Sequence, residues 1–369
     1  MKKKTNQQFF FQPTFGNRPE KIVGRDSELA AVIRGLKEPA GSRNRCILFL
    51  GQRGMGKTAM LLEIADRARD EDFIIARVTA HDGMPQAIIE QIQLNGSQYF
   101  KTDNRNLTGL SAGALGFSFG LTFSDSAEKQ YGFRSKMSLL CKKLEEKGKG
   151  VLILIDEVHT STAMREVAAS YQELVGDGMN VAICMAGLPY AVSGILNDKV
   201  LTFLNRAEKI KLDTISVSAI RAYFEKAFTT MGIKCPDPIL DNASESTHGL
   251  PYFMQLLGYY LTIYSENSRK IDDTVFNKAK MAAVRDMDDN VFKPIIYPLS
   301  DNDRLFLKAM AECQDPVTID ELKDKLGDKS ASIQTYRKRL IEAGVIESPR
   351  RGELVFAIPY IREYLLKVE

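Results

Sequence analysis

Gly51 to Thr58 read GQRGMGKT, and the octapeptide sits between a short apolar run, RCILFL (45–50), and a segment with helical spacing, KTAMLLEIADRARD. A buried strand that enters a glycine loop and leaves it as a helix begins a βαβ unit, which commits the chain to an α/β fold. The loop fits G-x-x-x-x-G-K-[ST]: its glycines let the main chain curl until successive N–H groups point at phosphate oxygens. The helix start adds partial positive charge. This places Gln52, Arg53, Gly54, Met55, Gly56, Lys57, Thr58 and Ala59 around a nucleotide's phosphates. Lys57 reaches the β- and γ-phosphates, and the Thr58 hydroxyl ligates Mg²⁺. The same residues contain GMGKTA, a dinucleotide-type G-x-G-x-x-A. That reading needs an acidic residue at the end of the next strand. ARVTA ends it without one, Asp82 comes late, and the Lys-Thr pair favours a nucleoside triphosphate.

Further strand-like runs follow at DFIIARV (72–78), GVLILID (150–156), NVAICMAG (180–187) and AEKIKL (207–212), with helical patterns between them. Near-continuous apolar strands separated by helices predict a parallel sheet covered on both faces, a three-layer α/β P-loop domain over residues 1–213. In VLILIDEVH, Asp156 ends a buried strand and would hold Mg²⁺ through water. Glu157 would orient and deprotonate the attacking water, so Glu157 and Lys57 are the expected catalytic groups. The glycine-rich LTGLSAGALGFSFGLTFSD (107–125) reads as a β-hairpin or a mobile insertion, with arms too short to span a membrane.

Beyond residue 213 the strand signals stop. SVSAIRAYFEKAFTTMG, DPILDNASEST, THGLPYFMQLLGYYL and DDTVFNKAKMAAVRDM read as a helical lid domain over 214–295. Pro251 fits the first turn of a helix. Residues 296–369 read as three helices and a two-strand ribbon with a charged tip, a winged helix-turn-helix. In SASIQTYRKRLIEAGVI, Ile333, Leu340 and Gly344 fall on one face with Tyr336 and Arg337 at its margins. Gln334, Thr335 and Lys338 point outward, Arg339 partly so, and Arg350 and Arg351 mark the wing tip. With Arg337, the outward residues and the tip form a footprint for double-stranded DNA. From Leu299 onward, however, 12 Lys/Arg face 13 Asp/Glu, which fits packing on protein equally well.

A length of 369 residues suits two or three domains, and a net charge of +3 is too mild to imply a nucleic-acid partner alone. Five scattered cysteines and three histidines argue against a disulfide framework, a zinc site or a histidine-based metal site. The opening MKKKTNQQFFFQP has too short an apolar stretch for a signal peptide, and no run of about 18 apolar residues occurs. A cytoplasmic protein with no membrane segment is expected.

These motifs resemble the AAA+ superfamily of P-loop ATPases, in the branch joining archaeal-type, STAND signalling and origin-initiator ATPases. KIVGRDSEL (21–29) resembles the family's Gly-Arg motif, where the main chain around Ile22, Val23 and Gly24 borders the adenine. FLNRAEKIKL (203–212) resembles the segment that delivers an arginine, here Arg206, acting within the chain or on a neighbouring subunit. Gly249-Leu250-Pro251 resembles the Gly-X-Pro step of the lid, which brings Pro251 and Tyr252 to the nucleotide. Two departures stand out. Tyr252 occupies the place of a phosphate-sensing arginine, and the fourth strand ends Met185-Ala186-Gly187 rather than in a polar sensor. The resemblance implies an ATP- and Mg²⁺-dependent switch that hydrolyses slowly unless assembled or stimulated. Its winged helix is carried either on DNA or, as in STAND-like regulators, on its own core or a partner protein.

Overall fold

The computed structural model describes residues 10–13, 22–100, 117–118, 122–123, 132–327 and 332–368. The chain divides into two compact units. A sheet unit comprises Arg25–Gly51 and Lys57–Leu212, and a lid unit comprises Met1–Gly24, Gln52–Gly56 and Asp213–Glu369.

The sheet unit runs α1 (Asp26–Leu36), β1 (Cys46–Leu50), α2 (Lys57–Asp70), β2 (Phe73–Thr79), α3 (Met84–Asn95), β3 (Phe117–Ser118) and β4 (Thr122–Phe123). It continues with α4 (Phe133–Glu145), β5 (Gly150–Asp156), α5 (Thr162–Gly176), β6 (Val181–Gly187), α6 (Pro189–Leu196) and β7 (Glu208–Lys211). Five strands form one sheet in the order β2-β5-β6-β1-β7, and every pairing is parallel. Alternation explains the three layers. Leu48, Ile74, Ile153, Ile183 and Met185 pack in one core with Ile88 of α3, Leu140 of α4 and Val167 of α5. Their strand neighbours Phe49, Ile75, Leu154 and Cys184 are equally buried on the other face, where α2 packs on β2, β5 and β6 and α1 packs on α2. Each fully buried Leu, Ile or Phe side chain contributes about 1.5–3 kcal/mol, so a doubly covered sheet is the stable outcome for such strands.

In the glycine-rich insertion, β3 and β4 pair antiparallel, Phe117 opposite Phe123 and Ser118 opposite Thr122. The rest of 107–125 lies outside the described residues, as do the start of MKKKTNQQFFFQP and Ser330 and Ala331 of the recognition segment. Among the described residues, no helix is long and apolar enough to cross a membrane.

After Asp213 the lid unit runs through α7 (Val217–Met231), α8 (Asp237–Glu245), α9 (Pro251–Tyr264) and α10 (Asp273–Met287). Ser216 and Asp272 cap α7 and α10 by accepting main-chain N–H groups, from Ala219 and Val275. Then come α11 (Asp301–Ala311), β8 (Val317–Thr318), α12 (Ile319–Leu326), α13 (Ile333–Glu342), β9 (Ile346–Glu347), β10 (Glu353–Phe356) and α14 (Ile361–Lys367). The small sheet is ordered β8-β10-β9. Helix, strand, two helices and two strands are the element order of a winged helix-turn-helix. The sequence reading missed β8, which is only two residues long. Tyr336, expected at the margin of the α13 core face, is buried with Ile333 and Leu340, because its ring packs on Phe306 of α11 with centroids 6.1 Å apart.

An unexpected element is the N-terminal FFQP. Phe10 and Phe11 are buried. The Phe11 ring sits 5.7 Å from the rings of both Tyr223 and Phe224 and 5.9 Å from that of Phe228. Tyr223 Oη donates to the Phe10 carbonyl at 2.7 Å, and the Gln12 N–H donates to Gln255 Oε1 at 2.9 Å. Gly258 opens the slot, since a Cβ there would stand 2.2 Å from Phe11 Cε1. Phe10 and Phe11, from the apolar stretch that is too short for a signal peptide, serve as an anchor on the lid.

Candidate nucleotide site

In the sheet unit, the carboxyl ends of the strands bring the chemistry together. Parallel register sets Thr79 beside Asp156 and Leu50 beside Gly187. Thr58, in the first turn of α2, donates its hydroxyl to Asp156 Oδ2 at 2.6 Å. Lys57 Nζ donates to the Gly51 carbonyl at 2.9 Å. Thr58 and Asp156 are therefore in direct contact, and Lys57 adjoins Thr58 along the chain. The N–H groups of the first helical turn have no intrahelical partners and supply the positive helix end.

Glu157 follows Asp156 with φ +54°, a left-handed conformation that is uncommon outside glycine and costs of order 1–3 kcal/mol. Its N–H donates to Asp156 Oδ1 at 2.9 Å, and its carbonyl lies 3.1 Å from His159 Nδ1. The bend turns the chain so that the Val158 N–H reaches the Ala186 carbonyl at 2.9 Å. Val158 then covers the end of β6. A Cβ on Gly187 would lie 2.9 Å from Val158 Cγ2 and 3.0 Å from the Val158 carbonyl oxygen. The missing polar sensor has a steric cause: the turn after β5 fills the space that a side chain at Gly187 needs.

Arg206 is exposed at the end of the 3₁₀ turn Thr202–Arg206. It makes no hydrogen bond or ion pair with other described residues, and it is not joined to the Lys57–Thr58–Asp156 group.

In the lid unit, Gln52–Gly56 form the crown of the loop. Gly54 and Gly56 have φ +78° and +81°, the left-handed geometry that a curled phosphate loop demands and glycine adopts without strain. Gln52 and Met55 are buried, whereas Arg53 is exposed. The Tyr252 N–H donates to the Gly54 carbonyl at 3.2 Å, and a Cβ on Gly54 would lie 3.1 Å from Leu250 Cδ1. Pro251 starts α9 beside Gly56, at 4.0 Å on the same measure. The Gln52 amide Nε2 donates to Glu347 Oε1 of β9. Burial pushes the Tyr252 hydroxyl above its usual range, with Asp286 adding to the shift.

The Gly-X-Pro step has a job that the sequence did not reveal. Gly249 has φ +73°, and a Cβ there would stand 2.6 Å from the Ile215 carbonyl oxygen. The Ile215 N–H donates to the Gly249 carbonyl at 2.8 Å. Ile215 Cγ2 in turn lies 3.0 Å from where a Cβ on Gly24 would be. Ile22, Val23 and Gly24 are therefore linked to Gly249, Leu250 and Gly54 through Ile215, which no motif marks.

The remaining sequence-derived positions lie on the winged segment. Gln334, Thr335 and Lys338 of α13 and Arg350 and Arg351 of the turn before β10 are exposed. Arg337 is half-buried and donates to Ser348 Oγ at 2.9 Å. Arg339 is drawn to Asp303 at 2.7 Å. Among the described residues, no group of three or more His, Cys, Asp or Glu side chains is arranged to hold a metal.

A family described as Domain of unknown function (DUF8462) matches residues 289–365. No curated protein matches the sequence. Among solved structures, the chain is similar to a Walker-type ATPase of Pyrococcus abyssi, with 16% identity, TM-score 0.68, 95% of this chain and 97% of that chain covered. It also matches Cdc6p of Pyrobaculum aerophilum, at 14% identity, TM-score 0.49 and 96% of each chain. Another match is the ORC1 protein of Aeropyrum pernix in complex with DNA, at 14% identity, TM-score 0.49, and 98% and 96% of the two chains. The strand order, the loop between β1 and α2 and a likeness that runs along 95% of the chain agree: this chain has the parallel α/β P-loop fold of that Walker-type ATPase.

Proposed function

We propose that the protein is an ATP- and Mg²⁺-dependent switch that hydrolyses ATP slowly and whose nucleotide state repositions the lid and the winged helix. Residues 1–213 form the ATPase domain in this reading, 214–295 the lid and 296–369 the winged helix. The observation that carries it is the 2.6 Å contact between the Thr58 hydroxyl and the Asp156 carboxylate, with Lys57 and Glu157 as immediate neighbours. A hydroxyl and a carboxylate so placed are an oxygen donor set suited to Mg²⁺. The left-handed Gly54 and Gly56 supply a backbone curl that fits phosphates.

Thr58 and Asp156 would hold Mg²⁺ there, and the ion would supply charge neutralisation of phosphate oxygens. Lys57 binds the phosphates as a point charge, and Gln52–Gly56 wrap them with main-chain N–H groups. Ile22, Val23, Gly24, Pro251 and Tyr252 border the base. The Glu157 carboxylate orients water and accepts its proton. Hydrolysis is slow because Gly187 carries no sensor, Tyr252 replaces an arginine, and Arg206, whether it acts within the chain or on a neighbouring subunit, awaits assembly or a partner.

Fluorescent-nucleotide binding and phosphate release test this reading. Lys57→Ala is expected to lose binding. Glu157→Gln is expected to bind but to hydrolyse at least about 10²-fold more slowly. Equal hydrolysis by the parent and both variants overturns it.

Two outputs compete for the winged helix. The exposed Gln334, Thr335, Lys338, Arg350 and Arg351 support duplex DNA. Packing on the protein's own lid is supported by Tyr360, whose hydroxyl donates to the Ser246 carbonyl at 2.5 Å and whose ring lies 4.8 Å from that of Phe253. A salt-dependent mobility shift weakened by Lys338→Ala and Arg351→Ala selects DNA. No binding at about 50 mM salt selects the STAND-like alternative, in which the winged helix contacts its own core or a partner protein.

A further inference from the structure

The carboxylate that reaches Gln52 comes from the winged segment. Glu347 ends β9, and its neighbour Ile346 is fully buried, so strand alternation turns Glu347 to the opposite side. Pairing with β10 sets Glu347 opposite Val355. One residue further on, Ser348 Oγ accepts from Arg337 at 2.9 Å, and its single O–H faces the carbonyls of Arg350 and Glu353 at 2.9 and 3.0 Å. The only described guanidinium bonded to this stretch is thus spent on Ser348. Among the described residues, the Glu347 carboxylate has no cation within ion-pair distance, and its one polar partner is the Gln52 amide.

A half-buried carboxylate without a cationic partner is an unusual neighbour for a loop shaped to take a polyanion. Phosphates bound by the loop that carries Gln52 would add negative charge on the same side as this carboxylate, and like charges repel strongly in a partly desolvated site.

We propose that Glu347 is a phosphate-displaced latch. Its carboxylate holds the wing strands β9 and β10 to the phosphate loop through Gln52. The anionic groups of a bound nucleoside triphosphate expel it and free the wing. The proposal rests on the nucleotide reading of Gly51–Thr58 and adds the regulation of that same site.

Hydrogen exchange of the full chain, with and without ATP·Mg²⁺, tests it alongside fluorescent-nucleotide titration. The parent protein is expected to lose protection at main-chain N–H groups of residues 346–356 when nucleotide binds. Glu347→Gln keeps an acceptor for Gln52 but removes the charge. It is expected to bind nucleotide about five- to tenfold more tightly and to keep its wing protected in the bound state. Inorganic pyrophosphate is expected to expel the latch as well, since phosphate charge rather than the base acts on Glu347. Lys57-dependent binding with unchanged wing exchange, and a Glu347→Gln affinity within twofold of the parent, overturns the latch alone. Absence of Lys57-dependent binding overturns the latch and the nucleotide reading together.

Discussion

Val158 occupies the space over Gly187: a Cβ on the glycine would meet Val158 Cγ2 at 2.9 Å and its carbonyl oxygen at 3.0 Å. The residue that ends the fourth sheet strand is therefore glycine because the turn after Asp156 passes directly above it. Restoring a polar sensor there is expected to fail. Gly187→Ser should cost about 1–3 kcal/mol by overpacking. Thermal melts should fall by about 2–4 °C for each kcal/mol lost, with no gain in phosphate release.

Gly249 carries two constraints, a left-handed backbone and a close approach to the Ile215 carbonyl. Gly232 shares the first, with φ +68°, but nothing lies within 4 Å of its Cβ position. Gly232→Ala is expected to cost only the left-handed strain, about 1–2 kcal/mol. Gly249→Ala should cost on the order of 3 kcal/mol, since overpacking adds to that strain. Urea unfolding of the two variants separates the terms, and equal losses would show that Ile215 yields freely.

The Phe11 anchor can be loosened from either side. Phe11→Ala removes a buried ring, a change that costs about 3–5 kcal/mol in a well-packed core. Gly258→Leu fills the slot that the ring needs. Both should speed hydrogen exchange at the Gln12 N–H, which donates to Gln255. Tyr223→Phe removes a single hydrogen bond to the Phe10 carbonyl and should weaken docking by about 1 kcal/mol. Unchanged exchange in Phe11→Ala would mean that the anchor does not hold the segment.

Asp198 gives the sheet unit an acid-sensitive contact. Hydrogen bonds from Arg165 first, and from the Val200 N–H next, hold its carboxyl below the usual aspartate range, at 2.9 Å in both cases. A depressed carboxyl contributes stability that is present above its unfolded value and lost as pH falls through the folded one. Asp198→Asn should therefore be less stable than the parent at about pH 7, and the difference should shrink as pH falls below the usual aspartate range. Urea midpoints across that range give the comparison, and a constant difference at every pH would exclude the charge as its source.

Much of the site was legible because its parts are local. GQRGMGKT and LILIDE are contiguous, and each strand carries its burial in an unbroken apolar run, so β5 covers Gly150–Asp156 as read from the sequence. Tyr336 was misplaced because helical spacing gives a face but not its width, and the Phe306 ring on α11 widened it.

The amino-acid sequence by itself determined the α/β order, the phosphate loop and the two carboxylates at the end of β5, since these depend on residues close together along the chain. Only the tertiary structure decided what those groups meet. It brought Gln52 to Glu347 across 295 positions, Phe11 into the slot at Gly258, and Ile215 between Gly24 and Gly249. Such pairs leave no periodic trace in a sequence, because each is set by how separately formed helices and strands pack, and packing is fixed only once the chain has closed on itself.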